Sequence, residues 1–294
     1  MTWTSWRLTR PAAIGAAALV ALLATYLVAA GHTLRAALDS TGLLSCLSAG
    51  GSRQTCSDQA AAFYRTLNSL TGGQPVAAYL VLLPGLLGVF VGTPILVREI
   101  ESGTLRLAWT QSVTRTRWLT SRLVIAGLVV VVAQLAITLL MTYWRGPVNM
   151  LDGRFEPTGY NIQGIVPLGY ALAAFALGAF VGVTVRRSAP AFAITLAGYF
   201  LIRLVIENML RGRFMTPLTV SWVGHAPTVL PSGAHGDWLM EQDIPKPGSG
   251  YPTVIIYQPA DRFWTFQALE LGITVAIAAT LITLTYVWVR RRSH

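Results

Sequence analysis

The stretch LVIAGLVVVVAQLAITLLMTY, residues 123–143, decides the fold class of this chain. It contains no charged residue and is long enough to cross the hydrocarbon core of a bilayer as a helix, which takes about 20 residues. Its polar residue of note is Gln134, near the middle. Backbone polar groups in lipid must be paired within the segment, so we expect a transmembrane helix here.

Five further apolar runs have a similar length, and the whole chain is poor in charge. Charged residues make up 12% of the chain and its mean hydropathy is +0.55, whereas soluble domains carry about 25% charged residues. We therefore predict an all-α integral membrane protein, with residues 1–294 forming a single transmembrane domain. The six predicted spans cover residues 12–30, 76–97, 123–143, 165–185, 189–207 and 264–289.

The arginines predict the orientation of these spans. With the N-terminus in the cytoplasm, the inside segments hold twelve arginines against two acids, Glu99 and Glu101, which accounts for the whole net charge of +10. Cytoplasmic loops of membrane proteins carry such an excess of basic residues. We therefore expect both termini and a loop over residues 98–122 inside the cell, with loops 31–75, 144–164 and 208–263 outside. Because topology accounts for the high pI, we expect membrane lipid and no nucleic acid as a partner.

The outside loops contain three local patterns. Cys46 and Cys56 lie in the first loop, in a compartment that permits disulfides, so a Cys46–Cys56 bridge is a candidate and two unpaired thiols are the alternative. The apolar pattern over residues 57–70 predicts a short amphipathic helix on the outer surface. Residues 253–257 form a strand-like run within the longest loop, which we expect to form a compact cap.

Ionisable residues in apolar segments are costly and usually have a partner. Arg203 and Glu270 fall at similar depths in the fifth and last spans, and Glu207 follows Arg203 by one helical turn. Arg203 could therefore pair with Glu270 across two helices or with Glu207 on its own helix. The sequence leaves both pairings open, and a pair that locks two helices is favoured over a substrate contact.

Small residues predict where helices pack closely. Glycines spaced by four occur in the second and fourth spans and let two backbones approach; they are Gly88 with Gly92, and Gly178 with Gly182. Pro84 and Pro94 should kink or break the second span.

The chain lacks the motifs of an enzyme. It contains no G-x-x-x-x-G-K-[ST] and no H-E-x-x-H, and its four histidines do not have the spacing of metal ligands. We therefore expect no catalytic site, no metal site and no cofactor bound by this chain. A secondary carrier is disfavoured, because the interiors of the first four spans contain no ionisable residue.

Two stretches resemble the permease subunits of type-2 ABC transporters. REIESGTLRLAWTQSVTRTRWLTSRL, residues 98–123, is similar to the cytoplasmic loop after the second span of that family, and YQPADRFWTFQALELG, residues 257–272, to its entry into the last span. The resemblance implies a short coupling helix that docks on a separate ATPase subunit. The implied coupling residues are Glu99, Glu101, Gly103, Thr104, Leu105, Trp109, Gln111 and Arg115.

The resemblance also implies the partners. ATP and Mg²⁺ would bind to the ATPase subunit, and a second permease copy would complete a homodimer or heterodimer in the plasma membrane. Export is the expected direction. The alternative is a stand-alone membrane protein with a role in immunity, sensing or assembly and no ATPase partner.

Overall fold

The computed structural model describes residues 2–49, 55–71, 79–101, 114–223, 236–243 and 251–291. These residues are mostly helical. The helices are α1 (Thr2–Ser40), α2 (Leu43–Ser48), α3 (Ser57–Leu70), α4 (Leu83–Gly92), α5 (Pro94–Glu101), α6 (Arg115–Asp152), α7 (Pro157–Ile162), α8 (Val166–Val185), α9 (Ser188–Val205) and α10 (Phe263–Arg291). The strands are β1 (Leu218–Trp222), β2 (Trp238–Asp243) and β3 (Thr253–Gln258).

Within the described ranges, six helical segments are long and apolar enough to cross a membrane, as the sequence predicted. They correspond to α1, α4 with α5, α6, α8, α9 with its extension to Arg213, and α10. Several run further than their apolar cores. Helix α1 continues until Gly42 adopts a left-handed conformation (φ 66°), and α6 continues until Gly153 (φ 76°). The predicted outside loops 31–75 and 144–164 therefore begin with helix.

The second span is interrupted at its prolines. Pro84 lies in the first turn of α4, where its missing N–H is harmless, and α4 ends at Gly92 before Pro94 opens α5. Residues 79 and 80, before α4, are helical as well, and residues 76–78 of the predicted span lie outside the described residues. Thr93, between the two helices, keeps helical backbone angles (φ −62°, ψ −50°), so α4 and α5 together form one span.

Helix α8 packs against α4 and α5 through the predicted glycines. A Cβ at Gly88 or Gly92 would collide with the α8 backbone, and a Cβ at Gly178 would lie 2.6 Å from the backbone nitrogen of Thr93. The helices can come so close only because these residues are glycines, whose side chain is a single hydrogen atom. The glycines of both motifs therefore face one another across a single helix pair.

The first and third spans run parallel. The hydroxyl groups of Ser5 and Ser121 share a hydrogen bond of 3.0 Å, and Arg35 Nη2 donates to the carbonyl of Tyr143 at 2.7 Å. Thr120 also contacts the hydroxyl of Tyr286, near the end of α10, at 2.7 Å. The start of α1 and the end of α10 therefore lie at the same end of the bundle, which we call the amino-terminal end.

A three-stranded antiparallel sheet covers the opposite end, which we call the sheet end. Its order is β1-β3-β2, so β3 is hydrogen-bonded on both sides. The strand-like run predicted at residues 253–257 is β3, while β1 and β2 were not predicted. Gln258 Nε2 donates to the carbonyl of Met215 at 2.7 Å, which fastens β3 to the chain that follows α9.

Helices α2 and α3 form a second small element at the sheet end. Helix α3 has the bounds expected for the amphipathic segment 57–70, with Phe63 fully buried. A disulfide joins Cys46 to Cys56, with 6.1 Å between their Cα atoms. Tyr64 donates a hydrogen bond of 2.7 Å to Asp152, which ties α3 to the end of α6.

Candidate functional site

An ion pair joins the second and third spans at the amino-terminal end of the bundle. Glu99, in the last turn of α5, pairs with Arg122 in the second turn of α6. Arg122 is only 3% exposed. A buried arginine needs a partner for its charge, so Glu99 fixes the position of α5 against α6.

The last residue of α5 also contacts the fifth span. The Glu101 carboxylate accepts hydrogen bonds from the hydroxyl and from the backbone N–H of Ser188, the first residue of α9. Backbone N–H groups at a helix start have no partner within the helix and favour a negative charge nearby. Glu101 thereby links the ends of α5 and α9, and we call the Glu99–Arg122 and Glu101–Ser188 contacts together the polar junction.

The polar junction borders the predicted coupling segment. Glu99 and Glu101 precede residues 102–113, and Arg115 follows them as the first residue of α6. The predicted docking residues Gly103, Thr104, Leu105, Trp109 and Gln111 lie outside the described residues. The structure thus describes the helices on both sides of this segment, α5 and α6, and shows that the end of α5 also contacts α9.

A second group of polar residues lies at the sheet end, centred on Glu270 of α10. Arg211 donates to both carboxylate oxygens of Glu270, through Nε at 2.8 Å and Nη2 at 2.7 Å. The hydroxyl groups of Tyr160 and Tyr170 donate to the same oxygens at 3.0 and 2.7 Å. Glu270 is completely buried, and its four hydrogen bonds make it the hub that holds α7, α8 and the end of α9 against α10.

Arg203 pairs with Glu207 rather than with Glu270. Its Nη2 donates to Glu207 at 2.6 Å, and its Nη1 contacts the Tyr199 hydroxyl and the carbonyl of Val81, each at 3.1 Å. The cross-helix pairing with Glu270, one of the two left open by the sequence, is not made. The reason is that both carboxylate oxygens of Glu270 already accept hydrogen bonds from Arg211.

Arg211 is a buried charged residue of this group that the sequence did not indicate, because it falls in the predicted loop 208–263. The chain in fact stays helical past Val205 through a π-helical turn, Ile206–Leu210, and a short 3₁₀ turn, Arg211–Arg213. Arg211 also lies 3.6 Å from Glu207. The alternation Arg203, Glu207, Arg211 at steps of four was a visible sign that the helix continues.

Gln267 is a further buried polar residue that the sequence did not single out. Its Oε1 accepts from the backbone N–H groups of Ile165 and Val166, each at 2.8 Å, and so satisfies the start of α8 from a neighbouring helix. Gln134, which the sequence did single out, is 1% exposed and donates only to Thr138 Oγ1, at 3.2 Å, within its own helix. Gln134 therefore joins neither polar group.

Glu156 is a titratable residue outside the spans with a defined environment. Burial alone would raise its pKa, but hydrogen bonds from the backbone N–H groups of Thr158 and Gly159, together with Arg145, lower the pKa below its ordinary value.

Tyr160 also has a shifted pKa. Burial, and next the charge of Glu270, raise the pKa of Tyr160 far above its ordinary value. The Tyr160 phenol therefore stays protonated and donates its hydrogen bond.

The fold defines a helical, multi-pass membrane protein with polar groups at both ends of its bundle. In comparisons with known proteins, the family model described as ABC-2 membrane transporter related matches residues 17–211, about two thirds of the chain. The chain belongs to this family and is a permease-type membrane subunit. No curated protein and no solved structure gives a significant match.

The matched region includes the polar junction, the predicted coupling segment and Arg211, but not Glu270. Among the residues that the structure describes, no group of histidine, cysteine and acidic side chains could hold a metal ion. The family relation agrees with the resemblance of residues 98–123.

Proposed function

We propose that this chain is the membrane-spanning subunit of an ABC transporter and is driven by a separate ATPase subunit that docks on the loop over residues 98–122. ATP and Mg²⁺ would bind to that partner, because the chain itself has no P-loop sequence. The observation that carries the proposal is the polar junction, which joins the end of α5, directly before the coupling segment, to α6 and α9 in a chain of the ABC-2 family.

The charge distribution supports a cytoplasmic position for the docking loop. The start of α1 and the end of α10 lie at the same end of the bundle as the polar junction, and the excess arginines of the chain concentrate in these segments. We assign this end to the cytoplasm of a plasma-membrane protein. The sheet and the Cys46–Cys56 hairpin would then lie outside the cell, where disulfides form.

The polar junction offers a route for mechanical coupling. A displacement of the docked segment by the ATPase would move the end of α5, which Glu99 joins to α6 and Glu101 joins to α9. Two permease copies, as a homodimer or heterodimer, would each receive such a displacement. Export is the direction we assign, on the resemblance to type-2 permeases; cells that lack the chain should retain the transported compound.

Gentle detergent extraction of the tagged chain from its native membrane, followed by mass spectrometry, tests the partner. We expect a stoichiometric ATPase that is lost when residues 105–111 are replaced by a seven-residue Gly-Ser linker. The same replacement of residues 244–250, in the outside loop, is the matched control and should retain the ATPase. A chain that is extracted as its own oligomer without an ATPase would favour the stand-alone membrane protein.

The variant Glu101→Ala tests the coupling route. Glu101 is exposed, so we expect the fold and the bound ATPase to remain while transport-linked ATP hydrolysis by the purified complex falls severalfold. Glu241→Ala removes an exposed acid at the sheet end and is the control. Unchanged hydrolysis in the Glu101 variant would remove this residue from the coupling route.

A further inference from the structure

A cleft of about 260 Å³ opens beside the polar junction, between α1, α5 and α6. Three arginines from these three helices line it: Arg7, Arg98 and Arg122. The acid Glu99 lines it as well. The convergence of basic side chains from separate helices on one concave surface is the arrangement expected for an anion-binding site.

Two of the three positive charges in the cleft are not neutralised by the described part of the chain. Glu99 pairs with Arg122. Arg7 and Arg98 are exposed and form no ion pair with any residue that the structure describes, while the Arg7 guanidinium lies 5.4 Å from the centre of the Trp3 ring. The cleft therefore presents a net positive charge to whatever enters it.

The remaining wall of the cleft is largely apolar. Leu8 of α1, Val91 of α4, Ile95 of α5 and Ala126 of α6 line it. A small free anion gains no binding energy from apolar side chains. An amphiphile, in contrast, can place its charged group at the arginines and its hydrocarbon along the apolar side chains.

Two tryptophans place the cleft at the depth of lipid headgroups. Trp3 and Trp6, on the first turns of α1, are 67% and 49% exposed. Tryptophan is enriched at the membrane–water interface, and Arg7 follows directly. The cleft is smaller than the roughly 300–1,000 Å³ of pockets that enclose drug-sized molecules. It therefore has room for a headgroup while the acyl chains remain in the bilayer.

From these observations we propose that the cleft binds one anionic phospholipid. Its phosphate lies between Arg7 and Arg98, and the first part of an acyl chain lies along Val91 and Ile95. The bound lipid would bridge α1 and α5 next to the Glu99–Arg122 pair. The site requires neither an ATPase nor transport, so it stands or fails independently of the proposed function.

Native mass spectrometry and thermal unfolding of the full chain in a neutral detergent test the proposal. Phosphatidylglycerol, phosphatidylcholine and inorganic phosphate are each added to the wild-type chain, to Arg7→Gln/Arg98→Gln, and to Arg10→Gln/Arg187→Gln. The last variant is the matched control, because it removes two exposed arginines that do not line the cleft.

We expect one retained phosphatidylglycerol per chain and a rise in Tm that phosphatidylcholine does not produce. The affinity should fall about thirtyfold in Arg7→Gln/Arg98→Gln, the factor given by two arginines at roughly 1 kcal/mol each, and stay near wild type in the control. Because both arginines are exposed, the variant should unfold at the wild-type temperature without lipid.

Three results would overturn the proposal. Equal binding of phosphatidylcholine would show that charge is not recognised. An equal rise in Tm with inorganic phosphate alone would identify a free-phosphate site. Equal losses in both double variants would show attraction to the general charge of this surface rather than to the cleft.

Discussion

Replacing Glu270 with glutamine should destabilise the bundle more than any exposed charge change. The substitution keeps the size of the side chain, but it turns one of the two oxygens that accept from Tyr160 and Tyr170 into an amide NH2 group, which cannot accept a hydrogen bond. It removes the negative charge opposite Arg211, whose side chain is 5% exposed, at a position where Glu270 itself is fully buried. Arg211 would then carry a buried charge that only the more distant Glu207, at 3.6 Å, could compensate.

The magnitude follows from the burial of both partners. Removing one partner of a buried ion pair costs about 3–5 kcal/mol, and the lower end applies because Glu207 still lies 3.6 Å from Arg211 and one tyrosine hydrogen bond can persist. About 3 kcal/mol corresponds to a fall in Tm of roughly 6–12 °C for a domain of 150–250 residues. Glu207→Gln should cost less, about 1.5–3 kcal/mol, because Glu207 is 23% exposed to solvent although its partner Arg203 is buried.

The assay is thermal unfolding of the purified chain in detergent, followed by tryptophan fluorescence, for the wild type and both variants. A third variant, Arg211→Met/Glu270→Met, removes both charges and should recover part of the lost stability, but not all of it, because the buried hydroxyl groups of Tyr160 and Tyr170 lose their acceptor. If Glu270→Gln unfolds within about 2 °C of the wild type, the pair is not what holds α10 to the end of α9.

Three further outcomes are expected. Gly88→Ala should lower stability by about 1–3 kcal/mol, since its Cβ meets the α8 backbone, whereas Gly15→Ala, with nothing within 4 Å, should not; equal thermal shifts would refute this packing. Reduction of Cys46–Cys56 should speed proteolysis of the α2–α3 hairpin and leave the bundle folded, because the bridge closes a local loop of separation 10; unchanged proteolysis would contradict it. The pKa of Glu156 is lowered in the folded chain, so its stabilising contribution is present above the unfolded pKa and is lost as pH falls through the folded value. Glu156→Gln should therefore show a smaller decline of Tm below about pH 4, and identical declines would contradict the assignment.

The spans were predictable because bilayer thickness alone sets the length of an apolar run. The ends of the helices could not be predicted in this way, since a helix can continue through polar residues until a residue such as glycine ends it. Gly42 and Gly153 stop α1 and α6 well beyond the apolar cores. The two prolines of the second span predicted its interruption, because the missing N–H and fixed φ act locally.

The polar group at the sheet end required tertiary information. Glu270 and Arg203 stood out in apolar segments, but the choice between partners depended on Arg211, which reaches Glu270 only because the π turn carries the helix past Leu210. Strand β3 could be predicted from a local apolar run. Strands β1 and β2 form by pairing with β3, and the paired residues lie more than ten positions apart in the sequence. Gln267 accepts a hydrogen bond from the backbone N–H of Ile165 at the start of another helix, and no local sequence pattern indicates this contact.

A photo-crosslinking side chain placed at position 105, activated in native membranes, tests the central claim most directly. The account predicts a covalent adduct between position 105 and a P-loop ATPase, identified by mass spectrometry. The same group at Tyr251, which is 73% exposed at the sheet end, should give no such adduct. Absence of an ATPase adduct at position 105, or its equal formation at Tyr251, would contradict docking of an ATPase on the loop over residues 98–122.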